Sequence, residues 1–289
     1  MVAQPEQIDV VVRIHAVDRM AELNRCVFSL VSQTYRPLRI IVVTQRFSAE
    51  ALAATKAALS PLLTGEEGVA LDIINWAEAE PADARSVLLN LGVQNAQGRY
   101  LAYLDYDDAL YPDAYELLIG KLRETGAAIA FASVRIMRLH VHGHFFYTAE
   151  RLASFKGNTL IDLFRSNFCP IHSYVIDRSQ VAPEALTFNA NLLMEEDYDV
   201  LLRICARYPS DFSLIGTDVG DYYYKTDGSN TVPTDGVLSP QSVERFKGVR
   251  TTIEHRKRVT MVSDAVLKLL GLPPSIRLMS VRDVVDRYS

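Results

Sequence analysis

Three carboxylates stand within four residues of the sequence, at Asp105, Asp107 and Asp108. They directly follow the apolar stretch 100–104, which has the composition of a buried strand. Ligands of open α/β sheets bind at the carboxyl ends of the strands. Clustered carboxylates repel one another, and a hard divalent cation that also holds phosphate relieves this repulsion. The segment therefore predicts a site for a metal and a phosphate group. An acidic loop that only caps the helix starting at Asp113 stays open as the alternative.

A second acidic cluster, Glu195, Glu196 and Asp197, opens a helix predicted over residues 195–206. Acidic side chains at a helix start are stabilised by the helix dipole, so this pattern alone is typical of capping. A carboxylate in the same position, directed at a bound substrate, is also able to accept a proton from a hydroxyl group. On this segment alone both interpretations stay open.

The elements that must position these carboxylates alternate between strands and helices over the first 135 residues. Strands are predicted at 8–14, 38–43, 69–74, 100–104 and 127–134, and helices at 49–59, 85–96 and 113–124, with another before Pro37. This order is typical of a mainly parallel Rossmann-like sheet with helices on both faces. After Arg135 the sequence predicts an α+β extension, with a hairpin around Gly143, a helix at 160–165 and a strand at 173–176.

Composition excludes several classes of protein. The 289 residues are 49% apolar and carry a net charge of −5, which argues against disorder and against general attraction to nucleic acid. Three cysteines without a Cys-x-x-Cys spacing argue against a disulfide framework and a thiolate metal site. No apolar run is long enough to span a bilayer, and no signal-peptide pattern is visible at the N-terminus. We expect a cytoplasmic protein, with peripheral contact at the inner face of the membrane as a further option.

The motifs in their order along the chain resemble the inverting family-2 glycosyltransferases of the GT-A fold, which use nucleotide-sugar donors. The resemblance covers nearly the whole chain. It is carried by the opening strand, the helix ending in Gln-Thr-Tyr35, Asn90-Leu-Gly92, Gly98-Arg-Tyr100, Asp105-Tyr-Asp107-Asp108, Glu196-Asp197 and Tyr224-Lys225-Thr-Asp227-Gly-Ser-Asn230. The resemblance implies a GT-A fold for this chain.

For the chemistry, the resemblance implies Mn²⁺ or Mg²⁺ at Asp105, Asp107 and Asp108, with Asp227 at the family's late His position as a further ligand. It also implies that Asp197, the second residue of Glu196-Asp197, is the base that deprotonates the acceptor.

The donor-binding residues implied by the resemblance lie on several elements. Where the family usually has Asp-Asp-Gly-Ser after the second strand, this chain has Thr44-Gln45-Arg46-Phe47, so we expect Thr44 or Gln45 to contact the nucleotide base. The full expected set is His15, Thr44, Gln45, Arg85, Asn90, Asp105 and Lys225.

The implied function is transfer of a sugar from a nucleotide-diphosphate donor to a hydroxyl of a carbohydrate or lipid-linked saccharide acceptor, in bacterial polysaccharide or glycoconjugate synthesis. One alternative is a sugar-nucleotide binding domain without turnover. A second is a phosphohydrolase of the haloacid dehalogenase type, which also has an Asp-x-Asp motif. That motif lies on the first strand in those enzymes, whereas here it follows the fourth predicted strand.

Residues 1–238 are expected to form one domain, with a nucleotide-sugar half at 1–135 and an acceptor half at 136–238. Residues 239–289 carry a net charge of +5, against −10 for the rest, and are expected to form a basic helical extension. Behind the basic run 255–258, an apolar stripe is expected to pack on the domain or on a second copy in a homo-oligomer, with contact to anionic lipid as the alternative. The stripe consists of Val259, Val262, Val266, Leu269 and Leu270.

Four further histidines lie outside these motifs. His140, His142 and His144 alternate along one predicted strand. At roughly 3.3 Å per residue the outer pair lies about 13 Å apart, too far for one ion, so we expect a polar hairpin face. His172 is interpreted either as a core histidine or as a contact to the acceptor.

Overall fold

The computed structural model describes residues 6–142, 145–228, 230, 240–273 and 278–288. Within these residues nine strands form one sheet. The strands are β1 (Ile8–Ile14), β2 (Leu38–Gln45), β3 (Val69–Trp76), β4 (Tyr100–Asp105), β5 (Ala109–Leu110), β6 (Ile129–His142), β7 (Phe145–Arg151), β8 (Tyr174–Asp177) and β9 (Ser210–Lys225).

The helices flank this sheet. They are α1 (Met20–Val31), α2 (Ala49–Leu59), α3 (Arg85–Asn95), α4 (Ala114–Thr125), α5 (Leu160–Arg165), α6 (Glu196–Arg207), α7 (Pro240–Val259), α8 (Asp264–Leu269) and α9 (Val281–Arg287). Short 3₁₀ turns lie at Val17–Arg19, Ser60–Leu63 and Pro183–Leu186.

The predicted fold class is confirmed by the order of the strands, β3-β2-β1-β4-β8-β6-β9-β5, with β7 paired to β6. Strands β1 to β4 are parallel to their neighbours in the β3-β2-β1-β4 part of the sheet. Val11 of β1 lies in one buried apolar cluster, whereas Val10 and Val12 lie in the other. Because successive side chains of a strand point to opposite faces, both faces of β1 are covered, which explains its unbroken apolar run.

The second half of the chain continues the same sheet. Strand β8 runs antiparallel to β4 and β6, and β6 runs parallel to β9. Strand β9 was absent from our sequence prediction. Its burial along Ser210–Lys225 is mostly intermediate, so it shows neither the apolar run of a central strand nor a regular alternation.

The apolar stripe of the C-terminal segment is divided between two helices. Helix α7 ends at Val259, and the chain then pairs with residues near Ser280 before Ser263 caps α8. Val262 and Val266 are buried in the core beside α6, whereas Val259 is 47% exposed. The break occurs because the backbone N–H of Val262 donates to the carbonyl of Met279 across a strand-like bridge rather than within a helix.

Gly92 allows α3 to approach β1 closely, and this contact supports the sheet edge that carries the site. A Cβ atom at Gly92 would overlap the side chain of Val11. We predict that Gly92→Ala lowers the free energy of unfolding by about 1–3 kcal/mol, measured by urea denaturation.

The matched control is Gly120→Ala in α4, where a Cβ atom meets nothing within 4 Å. There alanine should be neutral or stabilising by up to about 1 kcal/mol, because glycine is the poorer helix former. Equal destabilisation by both variants would contradict the close-packing explanation.

Candidate active site

A cavity of about 390 Å³ lies at the carboxyl ends of β1, β2 and β4. Six of the residues expected from the sequence to bind ligand or metal are among those that line it. They are His15, Gln45, Arg85, Asp105, Asp107 and Asp108.

Arg13 joins the two acidic motifs of the sequence. Its Nε and Nη2 atoms donate to the two carboxylate oxygens of Asp105 at 2.7 and 3.2 Å, and its Nη1 donates to Oε1 of Glu196 at 2.6 Å. Glu196 is only 4% exposed. Burial alone would raise the pKa of Asp105, but the Arg13 guanidinium outweighs it and holds that pKa below its usual value. The first carboxylate of the Asp-x-Asp-Asp motif is therefore kept ionised.

The geometry of this bridge follows from the strand order. Strands β1 and β4 are parallel neighbours, and Arg13 pairs with Asp105 in their register. The N-terminus of α6 then brings Glu196 to the same edge of the sheet. Residues far apart in sequence thus meet because the carboxyl ends of parallel strands share one edge.

Asp107 is held from the far side of the cavity by β9. The Nζ atom of Lys225 lies 2.8 Å from Oδ2 of Asp107, and Lys225 is only 1% exposed. The Nη2 atom of Arg25 donates to the backbone carbonyl of Asp107 at 2.5 Å. The loop after β4 is thereby fixed by one cation on its side chain and one on its backbone.

Asp108 lies deeper, at 3% exposure. Its Oδ1 accepts a hydrogen bond from the backbone N–H of Tyr223 at 2.9 Å, and its Oδ2 lies 3.4 Å from Nδ1 of His172. Burial and the neighbouring Asp107 raise the pKa of Asp108 well above its usual value. The ionised form of Asp108 is therefore disfavoured unless a further positive charge is bound.

Asp197 lies half-buried at the first turn of α6, next to the ion-paired Glu196. Its Oδ1 accepts from the backbone N–H of Tyr198 at 2.7 Å, and Nδ2 of Asn167 lies 3.4 Å from the same oxygen. Burial, and then the charge of Glu196, raise the pKa of Asp197 to about 7. A carboxylate with that pKa is suited to accept and release a proton near neutral pH.

Residues 11–142 match the family model for glycosyl transferase family 2. Over these residues the chain is similar to that family. The matched segment of the family runs from β1 through the Asp-x-Asp-Asp loop to the end of β6.

The fold is shared with solved structures. Residues 1–349 of TarS from S. aureus superpose with a TM-score of 0.59 at 12% identity, covering 90% of this chain and 67% of that one. The same protein in complex with UDP gives a TM-score of 0.60. At this low identity the likeness shows the GT-A fold alone.

Two curated relatives of the family are similar over the N-terminal part. The succinoglycan biosynthesis protein ExoO of Rhizobium meliloti is 29% identical over 119 residues, which is 39% of this chain and 34% of that protein. The uncharacterized glycosyltransferase YibD of Escherichia coli is 28% identical over 109 residues, or 38% and 29% of the two chains. The matches thus span about a third or less of these relatives.

Among the expected donor-binding residues, His15, Gln45, Arg85 and Asp105 line the cavity. Arg85 pairs with Asp83 at 3.0 Å, and Gln45 donates to the carbonyl of Ala82 at 2.8 Å. Burial, and then the positive charge of Arg85, lower the pKa of His15. The cavity wall opposite the carboxylates thus presents a cation and an amide.

Three expected residues are placed elsewhere. Thr44 is fully buried and donates to Asn75 at 2.8 Å, because it faces the opposite side of β2 from Gln45. Asn90 bonds the backbone N–H and carbonyl of Phe188 at 2.7 and 2.9 Å. Asp227 accepts from Arg19 at 2.9 Å. These three side chains thus contact other groups of the protein, and their ligand contacts stay predictions. Gly143 and His144 lie outside the described residues.

The most important residue missed from the sequence is Arg13. A charged residue inside the apolar run 8–14 was the available signal, because such a charge requires a partner when buried. Tyr222 and Tyr223 also line the cavity and were missed together with their strand.

No helix within the described part of the chain is long and apolar enough to cross a membrane.

The acidic loop fits a divalent cation that the substrate helps to hold. Among the described residues no group of three or more His, Cys, Asp or Glu side chains is arranged to hold a metal by itself. Both oxygens of Asp105 accept hydrogen bonds from Arg13, whereas Lys225 pairs with Asp107 through Oδ2 alone. Burial and Asp107 disfavour the charge of Asp108, and a bound cation would offset that penalty. Mg²⁺ is commonly bound by one or two carboxylates together with substrate phosphates.

The Arg13 bridge is testable as a coupling energy. Arg13→Gln leaves the buried Glu196 without its cation, so we predict a loss of about 3 kcal/mol in the free energy of unfolding. Adding Glu196→Gln should recover part of that loss, because the unpaired charge is then gone. Urea denaturation of both single variants and the double variant measures the coupling, and strictly additive losses would contradict the bridge.

Proposed function

We propose that this family-2 protein is a metal-dependent, inverting glycosyltransferase that moves a sugar from a nucleotide-diphosphate donor to a hydroxyl of a carbohydrate acceptor. One observation carries the proposal. Arg13, which lines the cavity, contacts both Asp105 and Glu196, so the Glu196-Asp197 motif lies directly beside the acidic loop. A leaving-group site and a base would then adjoin the same substrate.

On the donor side, Asp107 and Asp108 are the residues that would hold the cation, and Arg85 supplies further positive charge in the cavity. When bound, a divalent cation there supplies Lewis-acid stabilisation of the diphosphate leaving group. Lys225 and Arg25 keep the loop in place before the donor arrives, so less ordering is needed on binding.

On the acceptor side, Asp197 removes the proton from the attacking hydroxyl. The oxygen attacks the anomeric carbon from the face opposite the diphosphate, the bond to the diphosphate breaks, and the configuration inverts. Glu196 is occupied by Arg13 and serves to position Asp197. This chemistry needs no covalent intermediate with the protein.

The neighbours indicate which donor to test first. TarS, which shares the fold, was crystallised with UDP and with UDP-GlcNAc. ExoO is named for succinoglycan biosynthesis, a polysaccharide pathway. We therefore propose UDP-sugars as first donors and a role in bacterial polysaccharide or glycoconjugate synthesis.

The two parts of residues 1–238 are proposed to divide this work. Gln45 and Arg85 of the first part line the donor cavity, and Tyr222 and Tyr223 of the second part close it. Cys26, Cys169 and Cys205 are all free and buried, which supports a reducing compartment and hence a cytoplasmic site of action.

The alternative functions make different use of the same carboxylates. In a phosphohydrolase of the haloacid dehalogenase type the first Asp is the nucleophile, but both oxygens of Asp105 accept hydrogen bonds from Arg13. A binding domain without turnover would bind nucleotide yet leave the sugar attached. Release of UDP from a UDP-sugar separates that alternative from the transferase.

The metal assignment predicts a specific loss of binding. Asp107→Asn and Asp108→Asn keep side-chain size but remove charge, so we expect Mn²⁺-dependent binding of UDP to weaken at least tenfold. Thermal shift with UDP, in the presence and absence of Mn²⁺, measures it. Asp113→Asn, an exposed acid at the start of α4, is the matched control and should bind normally. Unchanged Mn²⁺ dependence in both site variants would overturn the assignment.

The assignment of Asp197 as the base predicts a loss of turnover rate without a loss of donor affinity. Asp197→Asn removes the proton-accepting charge, so turnover of UDP-sugar should fall by about 10²- to 10⁴-fold with UDP affinity nearly unchanged. Glu195→Gln is the control, because Glu195 is exposed at the same helix start. A dead Glu195 variant beside an active Asp197 variant would refute the choice.

The same base sets the pH dependence. Burial raises the pKa of Asp197 to about 7, so the protonated, inactive form accumulates as pH falls through that value. We therefore predict that kcat/KM decreases below about pH 7 with a slope of one proton. A rate that is flat between pH 5 and 8 would exclude Asp197 as the base.

A further inference from the structure

The hairpin formed by β6 and β7 presents aromatic rings to solvent. His140 lies opposite Tyr147, with ring centroids 5.2 Å apart and planes 10° apart, and His142 lies opposite Phe145. Phe145 is 81% exposed and Tyr147 is 65% exposed. Two large rings on one face of one hairpin are more than the scattered apolar exposure expected of a protein surface.

This surface is continuous with the cavity. On β9, Tyr222 lies opposite Ile136 and Tyr224 opposite Arg138, so both share the face of the sheet to which His140 belongs. Tyr222 also lines the cavity beside Asp108. We call this surface the aromatic face; its members are His140, His142, Phe145, Tyr147, Tyr222 and Tyr224.

The opposite side of the hairpin anchors it to the acidic loop. The guanidinium of Arg25 lies 4.4 Å from the ring centroid of Phe146 and 4.3 Å from that of Tyr223. The same guanidinium donates to the backbone carbonyl of Asp107. The aromatic face is therefore held in a fixed relation to the loop that we propose binds the donor diphosphate.

The charges on this face favour an uncharged ligand. Arg138, which lies between the hairpin rings and the cavity, forms an ion pair with Glu150 at 2.5 Å. Contact with an anionic membrane uses an excess of Lys and Arg beside the apolar groups. Here the positive charge of Arg138 is balanced by Glu150. A pyranose ring is complementary, because its C–H faces stack on aromatic rings and its hydroxyl groups bond the Tyr hydroxyls and imidazole nitrogens.

We propose that the aromatic face binds the saccharide chain of the acceptor, with sugar rings stacked on Tyr147 and Phe145 and the chain end entering the cavity past Tyr222. The site rests on the proposed glycosyltransferase function, whose acceptor it defines as an uncharged oligosaccharide at least several sugars long. It lies on a hairpin that the sequence marked only by its alternating histidines, and on strand β9, which the sequence prediction missed.

The test uses the full chain and neutral hexasaccharides of β-1,4-glucose, β-1,4-N-acetylglucosamine and α-1,6-mannose, without donor. We expect saturation-transfer NMR to show contact with at least one of them and calorimetry to give its affinity. Tyr147→Ala and Phe145→Ala should each weaken that affinity about tenfold, whereas Tyr147→Phe should retain it because the ring remains. Phe28→Ala, at a 59% exposed phenylalanine on α1, is the matched control.

The outcomes separate this proposal from its competitors and from the function on which it rests. Failure of all three hexasaccharides to bind, or equal binding by the Ala variants, overturns it. Flotation of wild type with phosphatidylglycerol vesicles, lost in Tyr147→Ala, would overturn it in favour of a membrane contact. UDP binding with Mn²⁺ is measured in parallel. If the wild-type protein does not bind UDP, the proposed function is contradicted. If it binds UDP but no saccharide, only the role of the aromatic face is contradicted.

Discussion

The arrangement of the site depends on how one guanidinium balances carboxylates that reach it from two distant parts of the chain. Arg13 contacts Asp105 through two nitrogens and the buried Glu196 through the third. Without that charge, the carboxylates of Asp105 and Glu196 would repel each other, and burial would raise the cost further. The bidentate fork also sets distance and direction, which a lysine at this position would not do.

The two carboxyl groups whose pKa values are raised lie where the proposed chemistry uses them. Asp108 has a raised pKa because burial and Asp107 both disfavour its charge, and the pKa of Asp197 is raised to about 7 by burial and Glu196. The first carboxyl lies in the loop assigned to a cation, and the second is the assigned base. Burial beside another carboxylate raises both pKa values, yet the proposed roles differ because only Asp108 lies in the loop proposed to hold the diphosphate.

The C-terminal helices contribute to the same framework. Asp199, on the helix that begins with Glu196, is fully buried and lies 2.6 Å from Arg256 of α7 and 3.1 Å from Arg203. Lys257 donates to the backbone carbonyl of Arg165 at 2.9 Å. Part of the basic run 255–258 therefore stabilises α6 from behind instead of forming a free cationic surface. The positive charge of the tail was evident in the sequence, but the groups that its basic side chains contact were not.

The sequence by itself determined the elements whose signals are local. An apolar run defines β1 at Ile8–Ile14, helical spacing defines α2 at Ala49–Leu59, and the acidic motifs marked the two groups of carboxylates that the proposed function uses. The family resemblance added their order and the expected fold.

Only the tertiary structure decided which side chains meet. Arg13 and Glu196 are 183 residues apart, and no local pattern encodes their contact. From the sequence, the hydroxyl of Thr44 and the amide of Gln45 are equally good candidates for contact with a nucleotide base. The pleat of β2 directs only Gln45 to the cavity. Strand β9 and the aromatic face depend on pairing between distant strands, which is selected by burial and register across the sheet rather than by the residues of either strand alone.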